Sequence, residues 1–226
     1  ERKEHDVKVK FSAFSESIPY SGGLMLATIV SLLAARFVPV VSPVAFVFAV
    51  FTFFTIYFFR DPIRRIPGQP QSVVSPADGT IVAIEEFNSS PHYDGPCKRI
   101  SIFLSVFNVH VNRSPYEGTV ESVTYKPGQF LDARKSNTSE LNEANTVRMK
   151  TPKGPMTIRQ ISGLIARRII CKVEVGETLA KGEKFGMIKF GSRTELYLPM
   201  DAQICVTLKD KVQGGTTIVA RFVDAS

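Results

Sequence analysis

Two residue types that often carry chemistry are scarce in this chain of 226 residues. Its three cysteines, Cys97, Cys171 and Cys205, are an odd number without CxxC spacing, which argues against both a disulfide framework and a zinc site. They read as small core residues in a reducing compartment. The three histidines are His5, His92 and His110, so imidazole chemistry has few places to reside. Charge is also missing over one long stretch: from Ile18 to Phe59 only Arg36 is charged, while charges recur regularly elsewhere. Two regions facing different solvents follow from that contrast. The formal net charge is +7 without any nucleic-acid recognition motif, so attraction to anionic lipid headgroups is the expected meaning of the charge and nucleic acid is not an expected partner.

The apolar stretch is interrupted at "ARFVPVVSP", where Pro39 and Pro43 break helical hydrogen bonding and Arg36 marks a polar tip. A helical hairpin is expected, with helices over about 20–35 and 44–59. Each has about 16 residues, or roughly 24 Å, against a hydrocarbon core of about 30 Å, so such helices span with thinning or dip into the bilayer. A secretory signal would instead be one shorter apolar segment with a small-residue cleavage site. Basic residues flank the hairpin, Arg2, Lys3, Lys8 and Lys10 before it and Arg60, Arg64 and Arg65 after it. The positive-inside tendency then places both ends in the cytoplasm, on a protein held at the cell membrane. A buried soluble hairpin is the competing reading.

After residues 1–66 and the Pro-rich connector "FFRDPIRRIPGQPQS", the pattern changes to short β-type runs separated by turn signals. "GTIVAIEEF", "KRISIFLS", "GTVESVTY", "GLIARRIICKVEV", "ELYLP", "AQICVTL" and "TTIVARF" all favour strands. Residues 67–226 are therefore expected to form a compact β domain, giving a mostly β (α+β) protein. Residues 129–145 are polar and read as a long loop or a short surface helix, of the kind that often covers a site. Glycines at tight corners in "SPADGTIVAIE" and "VEVGETLAKGEKFGMIKFGS" give the domain barrel-sandwich character like that of lipoyl and biotinyl carriers. A carrier would need a lysine displayed at a hairpin tip, and Lys189 is the nearest candidate.

"GMIKFGSRTELYLP", residues 186–199, reads as two short strands interrupted by Gly191-Ser192-Arg193. A turn explains the glycine and serine; a reactive peptide bond is the alternative. His110, in "LSVFNVHVNRSP", follows an apolar run and precedes a polar turn, where a strand end can present a side chain to a cleft. His92 sits among loop formers. Asp78, in "SPADGT", is part of an Asp-Gly pair that suits a turn. Together Asp78, His110 and Ser192 could form a chain in which carboxylate orients imidazole and imidazole deprotonates hydroxyl. Sequence separation neither forbids nor establishes that meeting.

The blocks "FFRDPIRRIP", "SPADGTI", "FNVHVNRSP", "GLIARRI" and "FGSRTELYLP" occur in the order and approximate spacing of the short-type phosphatidylserine decarboxylase proenzymes, which the chain resembles from about Ser12 to Ala220. Archaeal members acting on archaetidylserine look alike at this level, so the lipid backbone is left open. The resemblance implies cleavage between Gly191 and Ser192, with Ser192 becoming a pyruvoyl group, the enzyme's own cofactor. It implies that Asp78 fixes the tautomer of His110 and that His110 is the general base on Ser192. The two cleaved chains would stay together as a heterodimer, with further dimerisation left open. The mature reaction implied is decarboxylation of a phospholipid's serine headgroup through a Schiff base, with no metal. Arg113, Arg167, Arg168 and Arg193 are possible donors to phosphate and carboxylate. An Asp-His-Ser hydrolase and a membrane-tethered carrier domain are the alternatives.

Overall fold

The computed structural model describes residues 11–134, 138–164, 168–189 and 191–223. Arg2, Lys3, His5, Lys8, Lys10 and Arg167 lie outside the described residues. The fold has two compact units, Ser12–Pro62 and Ile63–Ser226.

The first unit is a pair of apolar helices, α1 (Ala13–Ala35) and α2 (Ser42–Phe58), joined through a 3-10 turn at Pro39–Val41. α1 starts ahead of Tyr20, where its apolar run begins, because Pro19 falls within the first two turns and removes one hydrogen bond without ending the helix. Its 23 residues reach about 35 Å at the usual rise, enough to cross a hydrocarbon core without the thinning expected from the sequence. Pro39–Phe58 is likewise long and apolar enough to cross a membrane. Phe14, Leu26, Phe46 and Phe53 are exposed, as lipid-facing side chains are. The hydroxyls of Thr28 and Thr52 lie 3.1 Å apart, and each has a carbonyl one turn back at 2.8 Å to accept its proton. These two hydroxyls thus find acceptors within the hairpin, as hydrocarbon demands.

The second unit is built from fourteen described strands. Eight form one curled, half-barrel sheet. The strands are β1 (Ser72–Val74), β2 (Gly79–Phe87), β3 (Cys97–Leu104), β4 (Val111–Arg113), β5 (Gly118–Lys126), β6 (Ala144–Thr151) and β7 (Gly154–Ser162). There follow β8 (Arg168–Cys171), β9 (Thr178–Leu179), β10 (Lys184–Lys189), β11 (Ser192–Pro199), β12 (Gln203–Ile204), β13 (Lys211–Val212) and β14 (Ile218–Arg221). The large sheet has the order β13-β2-β3-β11-β7-β6-β5-β9, and two three-stranded sheets have the orders β4-β10-β8 and β1-β14-β12.

Alternation along β3 and β11 sends Ile100, Ile102, Leu104, Leu196 and Leu198 to one buried face, where Ile158 of β7 joins them. Each such side chain contributes about 1.5–3 kcal/mol on burial. Near Ser192 the same face turns polar. The Asn112 amide donates to Thr194 Oγ1 (3.1 Å), Gln160 donates to Asn112 (2.9 Å), and Asn145 donates to Gln160 (3.0 Å). This buried chain ties β4 to β11, β7 and β6, so the strand that follows His110 is locked against the one that starts at Ser192.

The sequence reading left residues 144–162 without strands, yet β6 and β7 lie there at the middle of the sheet. Conversely, "GLIARRIICKVEV" and "AQICVTL" yield only the short β8 and β12. In the polar stretch 129–145, a four-residue helix, α3 (Thr138–Leu141), buries Thr138 and Ser139 rather than riding on the surface. The interruption in residues 186–199 is also shorter than expected: Ser192 and Arg193 already belong to β11. Between Lys189 and Ser192 the chain leaves one sheet and enters another.

Candidate active site

The crossing between sheets is made possible by Gly191, whose φ is +71°. A side chain there would be strained by its backbone alone. The next residue, Ser192, is fully buried, and its Oγ finds no hydrogen-bond partner among the described residues. Leaving a buried hydroxyl unsatisfied costs roughly 1–3 kcal/mol, and such an orphan in a folded protein calls for an explanation.

His110 reaches the residue before Ser192. The ring is fully buried, and its backbone carbonyl accepts from the Ile188 amide at 3.3 Å, tying it to β10. Nδ1 lies 2.9 Å from the Asn108 carbonyl oxygen, and Nε2 lies 3.3 Å from the Gly191 amide nitrogen. A carbonyl can only accept, so the proton sits on Nδ1, and Nε2 presents a lone pair to the Gly191 N–H. That is the tautomer a base needs. The Asn108 carbonyl is aimed by its own turn, where Asn108 Oδ1 accepts from the Ser105 amide (2.9 Å) and hydroxyl (2.8 Å).

Asp78 does something different from what was expected of it. Its Oδ1 accepts from the Gly214 amide at 2.7 Å and its Oδ2 from Arg64 at 2.7 Å. The carboxylate thus joins the connector after the hairpin to the loop following β13, while the Asn108 carbonyl stands at the ring nitrogen that Asp78 was expected to hold. The "SPADG" segment is tight for a steric reason as well: a Cβ at Gly79 would collide with the Phe103 carbonyl of the neighbouring strand.

Gly163 approaches the same peptide. A Cβ on it would come within 2.5 Å of the Gly191 carbonyl oxygen and 3.4 Å of the Ala133 Cβ. Its backbone would itself accept alanine, so the contact alone opposes substitution. Gly163→Ala is therefore expected to displace the Gly191 carbonyl and slow any reaction at that bond by about 10²-fold. A time course of fragment formation checks this.

The four arginines differ in placement. Arg193 is buried on the face opposite Ser192, with Nε 3.1 Å from Glu195 Oε1 and an NH2 group donating to Ser101 Oγ at 2.8 Å. Arg113 is buried and donates to the Gly182 carbonyl at 3.1 Å. Arg168 is exposed on β8. Arg193 and Arg113 are thus both engaged inside the unit, and Arg168 is the more open of the three described arginines.

Arg193 belongs to a buried ionic cluster that sequence reasoning missed. Glu195 is fully buried between Arg159 (3.1 Å), Arg193 (3.1 Å) and Arg99 (3.5 Å), and it accepts from Ser139 (2.9 Å) and Tyr197 (2.9 Å). Burial alone would raise the Glu195 pKa, but the Arg193, Arg159 and Arg99 guanidiniums outweigh it and hold the carboxyl below the usual range. Burial and Arg159 push His92 below its ordinary value against the pull of its partner Glu140, 2.9 Å away. Among the described residues no group of three or more His, Cys, Asp or Glu side chains is placed to hold a metal ion.

Lys189, the nearest candidate for a carrier lysine, is buried in β10. A carrier's attachment lysine must reach an external enzyme, so the carrier reading loses its residue. The hydrolase reading rests on the same buried Ser192, so burial does not separate it from a reaction at the neighbouring bond, and comparison with known proteins does. A buried serine hydroxyl with no partner among the described residues, preceded by a positive-φ glycine whose amide faces a histidine nitrogen, is a site turned toward its own backbone. Comparison with known proteins gives the particular kind. The sequence profile of phosphatidylserine decarboxylase matches residues 51–220. A phosphatidylserine decarboxylase proenzyme of Desulfotalea psychrophila is 42% identical over 209 residues, covering 92% of this chain and 95% of that protein. One from Ralstonia nicotianae is 44% identical over 208 residues, with 92% and 94% covered, and one from Carboxydothermus hydrogenoformans is 48% identical over 170 residues, with 75% and 80% covered. The chain belongs to the phosphatidylserine decarboxylase family and is a self-processing decarboxylase of phospholipid metabolism.

Proposed function

We propose that this enzyme cleaves itself between Gly191 and Ser192 and decarboxylates phosphatidylserine with a pyruvoyl group made from Ser192. The observation that carries the reading is the orphaned, buried Ser192 hydroxyl next to a positive-φ glycine whose amide faces His110 Nε2. His110 Nε2 takes the hydroxyl proton as Ser192 Oγ bonds to the Gly191 carbonyl carbon. Returning that proton to the departing amide nitrogen breaks the peptide bond and leaves an ester. Loss of the Ser192 Cα proton then expels the Gly191 carboxylate and leaves a dehydroalanine, and water replaces its nitrogen as ammonia. The pyruvoyl carbonyl supplies an electron sink for loss of carbon dioxide from the serine headgroup.

The surroundings fit that group. Ser192 stands at a strand end between Leu104 and Ser162, so residues 192–197 remain paired on both sides, and 198–199 with β3, after the break. Asp78 acts here as a positioning residue, fixing the connector and the loop after β13. Arg168, exposed in register with Lys189 near the bond, is the retained candidate for contact with the substrate's phosphate. The relatives' names favour a diacyl phosphatidylserine over the archaeal ether lipid. The hairpin holds the enzyme at the membrane, and Arg60, Arg64 and Arg65 favour the cytoplasmic side for the catalytic unit.

His110→Ala is expected to slow fragment formation by about 10²–10⁴-fold, the usual range for a positioned base. Unchanged processing kinetics would remove His110 from that role. The activity itself is tested with vesicles containing phosphatidylserine: release of carbon dioxide with matching gain of phosphatidylethanolamine is expected, and no headgroup change would sink the reading.

A further inference from the structure

The end of the large sheet that carries Ser192 has an apolar rim. β3 and β7 stop, and β11 starts, along the line Leu104, Ser192, Ser162, so the segments beyond these residues leave the sheet on one side. Two of them carry large, open apolar side chains: Phe107 is 65% exposed and Leu164 is 66% exposed. The loop before β6 belongs to the same end, because Ala144 pairs with Ile161. It brings Phe130, Leu131 and Leu141, all exposed. The loop before β6 is bound to the end of β7, and the segment after β3 comes close to Gly191. Asn142 donates to the Leu131 carbonyl (2.9 Å) and to the Ser162 carbonyl (2.8 Å), and Val106 is the nearest side chain to where a Gly191 Cβ would be, at 3.9 Å.

Large apolar side chains gathered around a reacting centre in a charged, soluble-type unit mark an interaction surface. We propose that this rim inserts into the headgroup–acyl boundary of an anionic phospholipid bilayer, so that the catalytic unit meets the lipid surface directly and not only through the hairpin. The inference rests on Ser192 as the reacting centre. Three observations select a bilayer as the occupant. The family's substrate is a phospholipid, whose headgroup must reach Ser192 while its chains remain among apolar groups. The chain has a formal charge of +7, suited to anionic lipid, and exposed Arg168 pairs with Lys189 two residues before Gly191. The same chain carries helices long and apolar enough to cross a membrane, so the protein as a whole is suited to a bilayer. Insertion to the interfacial depth of about 5–10 Å is what such side chains can sustain without a spanning segment.

The chain has no tryptophan, so a single introduced indole reports its own surroundings. Phe107→Trp and Leu164→Trp, each in the full chain reconstituted in vesicles of phosphatidylserine and phosphatidylcholine, are compared using lipids brominated along the acyl chain. Val175→Trp is the control. Val175 is 65% exposed, and the adjacent Gly176 amide bonds to Val120 toward the opposite end of β5 from the rim. The expected result is loss of emission and a blue shift for the two rim positions, with neither change for the control. No bromine quenching at the rim, or equal quenching at all three positions, overturns the proposal. Shielding from aqueous iodide without bromine quenching also overturns it, since a protein surface would then cover the rim. The measurement does not depend on processing: in the Ser192→Ala background the same quenching is expected, so failure of the cleavage reading and failure of the docking surface are told apart.

Discussion

Ser192→Ala is expected to leave the protein as a single 25.0 kDa chain with no decarboxylase activity, while the unsubstituted protein is expected to separate into residues 1–191 and 192–226. The reason is atomic. Only the Ser192 hydroxyl can exchange the Gly191 amide for an ester, and only that residue's carbons can become the new ketone. Removing a covalent nucleophile costs on the order of 10⁶-fold where it has been measured in a serine enzyme, so fragments should be undetectable over days. The fold should survive, because the hydroxyl has no partner to lose among the described residues. Removing an unsatisfied polar atom from a buried place is closer to neutral than removing a bonded one. Denaturing gels and a thermal melt separate the two effects: a whole chain with an unchanged melting temperature is expected. Fragments at the normal rate would move the cleavage site elsewhere.

Glu195→Ala should produce the largest loss of stability. Glu195 is the fully buried anion among Arg159, Arg193 and Arg99. Taking it away leaves buried guanidiniums without their counter-charge, which typically costs about 3–5 kcal/mol. Against a total of about 5–15 kcal/mol for a folded domain, that is a substantial fraction. The pH dependence follows from the lowered Glu195 pKa. A carboxyl held lower in the folded state than its unfolded value of about 4.3 contributes stability that is fully present above that value. The contribution is lost as pH falls through the folded pKa. Urea midpoints at pH 7 and below pH 4 check both parts: the variant should be much weaker at neutral pH, and the gap should narrow in acid. Equal midpoints at pH 7 would show that the cluster is not a buried ionic centre. Because Arg193 directly follows Ser192, the cluster would also anchor the start of the smaller chain under the proposed cleavage.

The hairpin and several outer strands were legible because their side chains sort by solvent. Runs such as "GTIVAIEEF" and "GTVESVTY" became β2 and β5 nearly residue for residue. β6 and β7 were not legible because Asn145, Arg159, Gln160 and Ser162 are polar and yet buried. A reader who takes polarity for exposure sees loops there. The hydrogen bonds and ion pairs that make burial tolerable come from β4 and β11, which lie far off in sequence, and from the short α3, whose polar residues do not announce burial. The site divides in the same way. Gly191, Ser192 and His110 stood out through their residue types and through the family's blocks. The carbonyl of Asn108 and the missing side chain of Gly163 are backbone features, and no residue code announces them. Asp78 was visible as a residue, but its ties to Arg64 and Gly214 depend on chain segments that only folding brings together. The arginines show the limit most clearly, since Arg193 and Arg168 look alike in sequence and lie in opposite environments.

The most direct test is the intact mass of the purified, active protein, combined with trapping by a carbonyl reagent such as phenylhydrazine. The account predicts two chains divided after Gly191, the smaller lacking a free amino end and gaining one hydrazone at the residue derived from Ser192. An active preparation that holds only the whole chain, or whose smaller chain begins with an ordinary serine amine and takes up no reagent, would contradict it.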